Sequence, residues 1–117
     1  MLAPAIYEDN SFSYTTSGLT PTNCTINAGG YCKIGNLVIV NMRITALADS
    51  NVQITGFPSM NEKVSAGVID YISTIGGTAA LAETVMGGNG TAYVYKVGSS
   101  TLTNQMVRFS FVYICDS

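Results

Sequence analysis

Leu37-Val38-Ile39-Val40-Asn41-Met42-Arg43-Ile44-Thr45-Ala46 is the stretch whose periodicity decides the fold. Its even positions Val38, Val40, Met42 and Ile44 are apolar, while Asn41 and Arg43 fall on the opposite face. Successive side chains of a β-strand point to opposite sides, so an alternation of two marks a strand with one face on a core. The other face meets solvent or a neighbour, the pattern of an antiparallel sheet.

Upstream, Gly35-Asn36 is a two-residue hairpin signal between Lys33-Ile34 and Leu37-Val38. Before it, Thr25-Ile26-Asn27 leads into Ala28-Gly29-Gly30, which reads as a turn ahead of a short strand from Tyr31 to Ile34. Residues 11–20 are rich in Ser and Thr and read as an edge strand or an arm. Downstream, Asn51 to Thr55 reads as a strand ended by Gly56-Phe57-Pro58, residues 59–64 as a loop, and Val64 to Ile75 as β-branched again. The helix formers Ala79 to Glu83 lie in only nine residues between two Gly-Gly pairs, too few for a stable helix, so Thr78 to Met86 is expected as a strand. Asn89-Gly90 is a type I′ turn candidate before Thr91 to Val97, where Ala92 and Val94 share one face and Thr91, Tyr93 and Tyr95 the other. The final strand, Gln105 to Cys115, sets Val107, Phe109, Phe111 and Tyr113 against Arg108, Ser110 and Val112, and its strength suggests the middle of a sheet. Turn signals recurring every ten or so residues indicate an all-β chain, an antiparallel sandwich or barrel of about eight strands. The expectation is one domain over residues 1–117, with 1–20 as an N-terminal arm.

Charged residues make up 10% of the chain, where a soluble domain usually carries roughly 25%. Either Ser, Thr, Asn and Gly coat a monomer, or much of the surface is buried against copies of the chain or a partner, because interface cores are depleted in charge. A net charge of −2, with Lys33, Arg43, Lys63, Lys96 and Arg108 scattered singly, offers no footprint for nucleic acid. No apolar run approaches the roughly 20 residues of a membrane helix.

The chain has no His, which removes the commonest general base. A Ser or Cys nucleophile lacks another base in a suggestive setting. Asp49, Glu62, Asp70 and Glu83 could supply a carboxylate pair, but no spacing singles out two of them. Residues 87–90, Gly-Gly-Asn-Gly, lack the Lys-Ser/Thr of a phosphate loop. Cys24, Cys32 and Cys115 are too few for a four-ligand zinc site and are expected as reduced, partly buried thiols, although a Cys24–Cys32 bridge is open. The expectation is therefore no enzyme, no cofactor and no metal. Binding chemistry has more material. Tyr93 and Tyr95 offer flat apolar area with a hydroxyl, suited to sugar rings, to a second core or to a subunit contact. Arg43 and Arg108 both point away from the core and would form a polar stripe if their strands share a sheet. The candidate ligand-binding residues are Tyr93, Tyr95, Arg43 and Tyr71.

The segment from Gly30 through Tyr31-Cys32-Lys33-Ile34-Gly35-Asn36 to Ile44 resembles a stretch in C-terminal domains of phage tail-fibre and receptor-binding proteins. Those read as an aromatic residue, a Lys/Arg-Val/Ile-Gly-Asn hairpin and an alternating strand. Ile54-Thr55-Gly56-Phe57-Pro58 looks like their Gly-Tyr-x-Pro element, with the residue between aromatic and Pro missing. The Asn89-to-Tyr95 hairpin and Phe109-Ser110-Phe111-Val112-Tyr113 complete a resemblance over roughly residues 24–115. The motifs are generic hairpin grammar, so their order carries the likeness.

The resemblance implies a head or tip domain of a homotrimeric tail fibre, folded as a β-sandwich or jelly-roll-like barrel and contacting a host-surface saccharide. It implies a virion protein made in a bacterial cytoplasm, with the N-terminal stub joining a shaft. Met1 to Ile6 lacks the length and basic start of a signal peptide, in line with that expectation. The resemblance supplies no site residue. A structural virion part, such as a capsid decoration or tail-tip protein bound to other virion proteins, is the second reading. A bacterial carbohydrate-binding module is the third, and the absence of Trp counts against it.

Overall fold

The alternating stretch is a strand of an all-β molecule: the computed structural model describes residues 13–61, 70–74, 81–96, 98 and 101–116, and among these there is no helix. In chain order the strands are β1 (Thr20–Thr22), β2 (Cys24–Ile34), β3 (Leu37–Ala46), β4 (Val52–Thr55), β5 (Asp70–Thr74), β6 (Leu81–Met86), β7 (Ala92–Lys96) and β8 (Met106–Ile114). They form two antiparallel sheets, one ordered β1-β4-β7-β6-β5 and the other β2-β3-β8. The chain changes sheet between β1 and β2 over Asn23 alone. Asn23 has a left-handed φ of 56°, a conformation Asn tolerates better than most residues. Its carbonyl accepts from Leu47 N at 2.8 Å, and its amide donates to Asn51 O at 3.1 Å, which fixes the corner.

Both sheets feed one apolar cluster. From β3 come Val38, Val40, Met42, Ile44 and Ala46, and from β8 Val107, Phe109, Phe111 and Tyr113. The facing sheet supplies Val52 and Ile54 from β4, Ala82 and Met86 from β6, and Ala92 and Val94 from β7. The β8 rings form a ladder, with centroids 6.0 Å apart from Phe109 to Phe111 and 6.3 Å from Phe111 to Tyr113. Burial pushes the Tyr113 phenol above its ordinary pKa, and its hydroxyl donates to Pro58 O at 2.7 Å. The three cysteines are buried thiols. Cys24 and Cys32 lie eight positions apart along one strand, too far for a bridge.

Three local readings need correction. Ala28-Gly29-Gly30 is no turn, because β2 runs unbroken through it. The register slips instead: Ile26 faces Ile44 and Ala28 faces Arg43, which leaves Asn27 as an extra, bulged residue. The glycines allow close approach. A Cβ on Gly29 would overlap the Asn41 carbonyl oxygen, and one on Gly30 the Thr15 carbonyl oxygen, where Thr15 and Tyr31 exchange backbone bonds of 2.9 and 3.0 Å. Asn89-Gly90 is not a type I′ pair, since Gly90 alone has positive φ, 83°. Gly90 N donates to Gly87 O at 3.1 Å, so Gly88-Asn89 are the central residues and Gly90 follows as a bulge. Finally, β8 lies at an edge of the three-stranded sheet, beside β5 of the other sheet. Its apolar alternation reflects the core it covers from that edge.

The Gly35-Asn36 hairpin forms as expected, with Ile34 opposite Leu37. Parts of the expected loop at 59–64 and strand at 64–75, together with residues 1–12, lie outside the described residues.

Candidate functional site

Four side chains were expected to bind ligand, and the two sheets divide them. On β7, Ala92 and Val94 are buried, which turns Tyr93 and Tyr95 to the outer face of the five-stranded sheet. Their rings are stacked, with centroids 6.1 Å apart and planes 9° apart. Tyr95 is 51% exposed and Tyr93 half-buried. Gly87 makes room for this: a Cβ there would stand 3.0 Å from the Tyr93 ring, tighter than ordinary contact. The register adds two residues. Gln53 on β4 lies directly opposite Tyr93, and Glu83 on β6 directly opposite Tyr95, both half-buried. Opposed positions put Cβ atoms about 5 Å apart. The tyrosine platform is thus flanked by an amide on one side and a carboxylate on the other.

Tyr71 sits on β5 opposite Thr84, in the row of Val94 and not in the rows of the tyrosine pair. Its side chain lies outside the described residues.

Arg43 belongs to the other sheet. It lies on β3 directly opposite Arg108 of β8, so the two strands do share a sheet and the arginines share one row of its outer face. Asn41 and Ser110 form the next row. Around them is a cleft of about 370 Å³, walled on the β2 side by Ala28 and Gly29 of the bulged stretch and capped by Tyr14. Arg43 Nε is buried and has no hydrogen-bond acceptor among the described residues. The same face turns apolar at its far end, where Ile34, Leu37 and Ile114 form one row and Cys32, Ile39 and Val112 the next. Of these, Ile34 is 41% and Val112 48% exposed.

The tyrosine pair was legible from alternation along one strand. Gln53, Glu83 and Tyr14 were not, because each reaches its place through cross-strand register or chain docking. Among the described residues no group of His, Cys, Asp or Glu is arranged to hold a metal. Searches against protein-family models, curated proteins and solved structures find no match for this chain.

Proposed function

We propose that the protein is a receptor-binding or adhesion head that holds a saccharide of a host cell surface on the Tyr93–Tyr95 platform, working as a homotrimer at the tip of a phage tail fibre. The stacked, outward tyrosine pair is the observation that carries this reading. Two parallel, stacked rings present apolar area on the outer face of the sheet, with the exposed Tyr95 ring available to a sugar ring and Tyr hydroxyls beside it. Gln53 and Glu83 beside the rings supply a donor and acceptors for sugar hydroxyls. Self-association is supported by the 10% charge content and by the apolar rows around Ile39 and Val112. A jelly-roll-like barrel is the finer form of the fold in this proposal, supported by sheet edges that approach each other at β1–β2 and at β5–β8.

The test is a glycan array and a host-cell binding assay with the purified oligomer, repeated with Tyr93→Ala/Tyr95→Ala. The double variant is expected to keep its thermal transition and lose binding at least tenfold, about 1.4 kcal/mol. Tight binding to a virion protein with no binding to cells or glycans would overturn the reading in favour of a structural virion part. Unfolding or dissociation of the double variant would place the tyrosines in a subunit contact.

A further inference from the structure

We propose that the cleft between Arg43 and Arg108 is a second binding site, on the sheet opposite the tyrosine platform, for the carboxylate or phosphate group of an anionic sugar. The register sets Arg43 directly opposite Arg108, so two guanidinium-bearing residues share one row of this face. Among the described residues lining the cleft none is acidic. Arg43 Nε is the decisive atom: a buried guanidinium nitrogen without an acceptor carries a desolvation cost that an incoming oxygen removes. Arg presents a planar fork that matches carboxylate and phosphate oxygens two at a time, so such an anion suits the pair better than a neutral ligand does.

The rest of the cleft argues for more than a simple ion. Its volume of about 370 Å³ lies within the range of small-molecule sites, roughly 300–1,000 Å³. Tyr14, 41% exposed, offers a ring face at the rim, and Asn41 an amide in the row beside the arginines. A sugar whose anionic group sits between the arginines has its ring placed against Tyr14. The bulge at Asn27 sets Ala28 outward beside Arg43, and the Gly29 backbone closes the wall. This site does not depend on the tyrosine platform, since the two lie on different sheets.

The experiment titrates the full chain with glucuronate, glucose 6-phosphate, glucose and inorganic phosphate, followed by calorimetry and by NMR shifts of arginine side chains. Glucuronate or glucose 6-phosphate is expected to bind and glucose not, with affinity falling at least threefold from 50 to 500 mM NaCl. Whichever sugar binds tighter identifies the anionic group. Arg43→Gln and Arg108→Gln should each weaken binding at least tenfold, and Tyr14→Ala should weaken the sugars but not inorganic phosphate. Arg43→Lys keeps the charge without the fork and should also lose about tenfold, which tests the geometry if the Gln variant folds poorly. Equal binding of glucose, inorganic phosphate as tight as glucose 6-phosphate, insensitivity to all three arginine variants, or no binding at millimolar ligand would each overturn the proposal.

Discussion

Asp49 shows what a single exposed carboxylate can organise. It accepts from Leu102 N at 3.0 Å, Thr103 N at 2.9 Å and the Thr103 hydroxyl at 2.7 Å, tying the loop after β3 to the loop before β8. The Thr103 side chain and these two amides hold its pKa below 3.8. A group whose folded pKa is depressed contributes stability above its unfolded pKa and loses it as pH falls through the folded value. Melting of the wild-type chain should therefore show an Asp49 contribution that is constant above about pH 5 and fades below pH 4. In Asp49→Asn that part of the acid-side slope should disappear, with Tm at neutral pH lower by a few degrees. A core residue sets a different scale. Phe109 is 2% exposed in the middle of the ring ladder, and Phe109→Ala should cost about 3–5 kcal/mol in denaturant unfolding. Gly29→Ala adds one methyl group yet should cost at least about 2 kcal/mol, because φ is +80° and the Asn41 carbonyl occupies the space.

Strands carry the next level of information, and β2 is the instructive one. Before Asn27 its inward residues are Cys24 and Ile26, opposite Ala46 and Ile44. After it Tyr31 turns inward, meeting Phe57 edge-on at 5.7 Å, and Cys32 turns outward opposite Ile39. Deleting Asn27 should keep the cooperative melt, because Ile26 and Ala28 then follow one another as regular neighbours opposite Ile44 and Arg43 and every later side chain of β2 keeps its side. Inserting one residue between Tyr31 and Cys32 should abolish it. Asn27→Ala, which keeps the residue count and loses only the 2.8 Å bond from the Thr45 hydroxyl, should cost no more than about 1.5 kcal/mol. This explains what the sequence made legible. β3, β7 and β8 could be read because each alternates without interruption, and the sandwich-like pairing of an all-β chain followed from them. β2 was misread because Ala-Gly-Gly serves a bulge as well as a turn. The edge position of β8 was hidden for another reason: a sandwich buries an edge strand under the opposite sheet as thoroughly as a central one. Of the candidate site, alternation gave the outward direction of Tyr93, Tyr95 and Arg43. Only strand order could show that Arg43 faces Arg108 and lies on a different sheet from the tyrosines.

At the scale of the molecule, two outward faces of different chemistry enclose one core. The five-stranded sheet carries aromatic rings with an amide and a carboxylate, and the three-stranded sheet carries two arginines at one end and apolar rows at the other. Light scattering at micromolar concentration should give about three times the 12.3 kDa protomer mass. Val112→Glu, placed where an exposed apolar residue joins Ile39, should shift that mass toward the protomer without lowering the melting temperature of an isolated subunit. A protomer mass for the wild-type chain would remove the trimer from the proposed function. The bulge has one more consequence, for descent instead of stability. Asn27 is a frameshift written in structure: upstream of it β2 is spelled in one phase, downstream in the other. A relative that lost this single residue would spell the whole strand in one phase, with Tyr31 still inside and Cys32 still outside and no other letter changed. The position is thus free to come and go in descent, whereas a residue gained or lost anywhere else along β2 would need a second such change to compensate it.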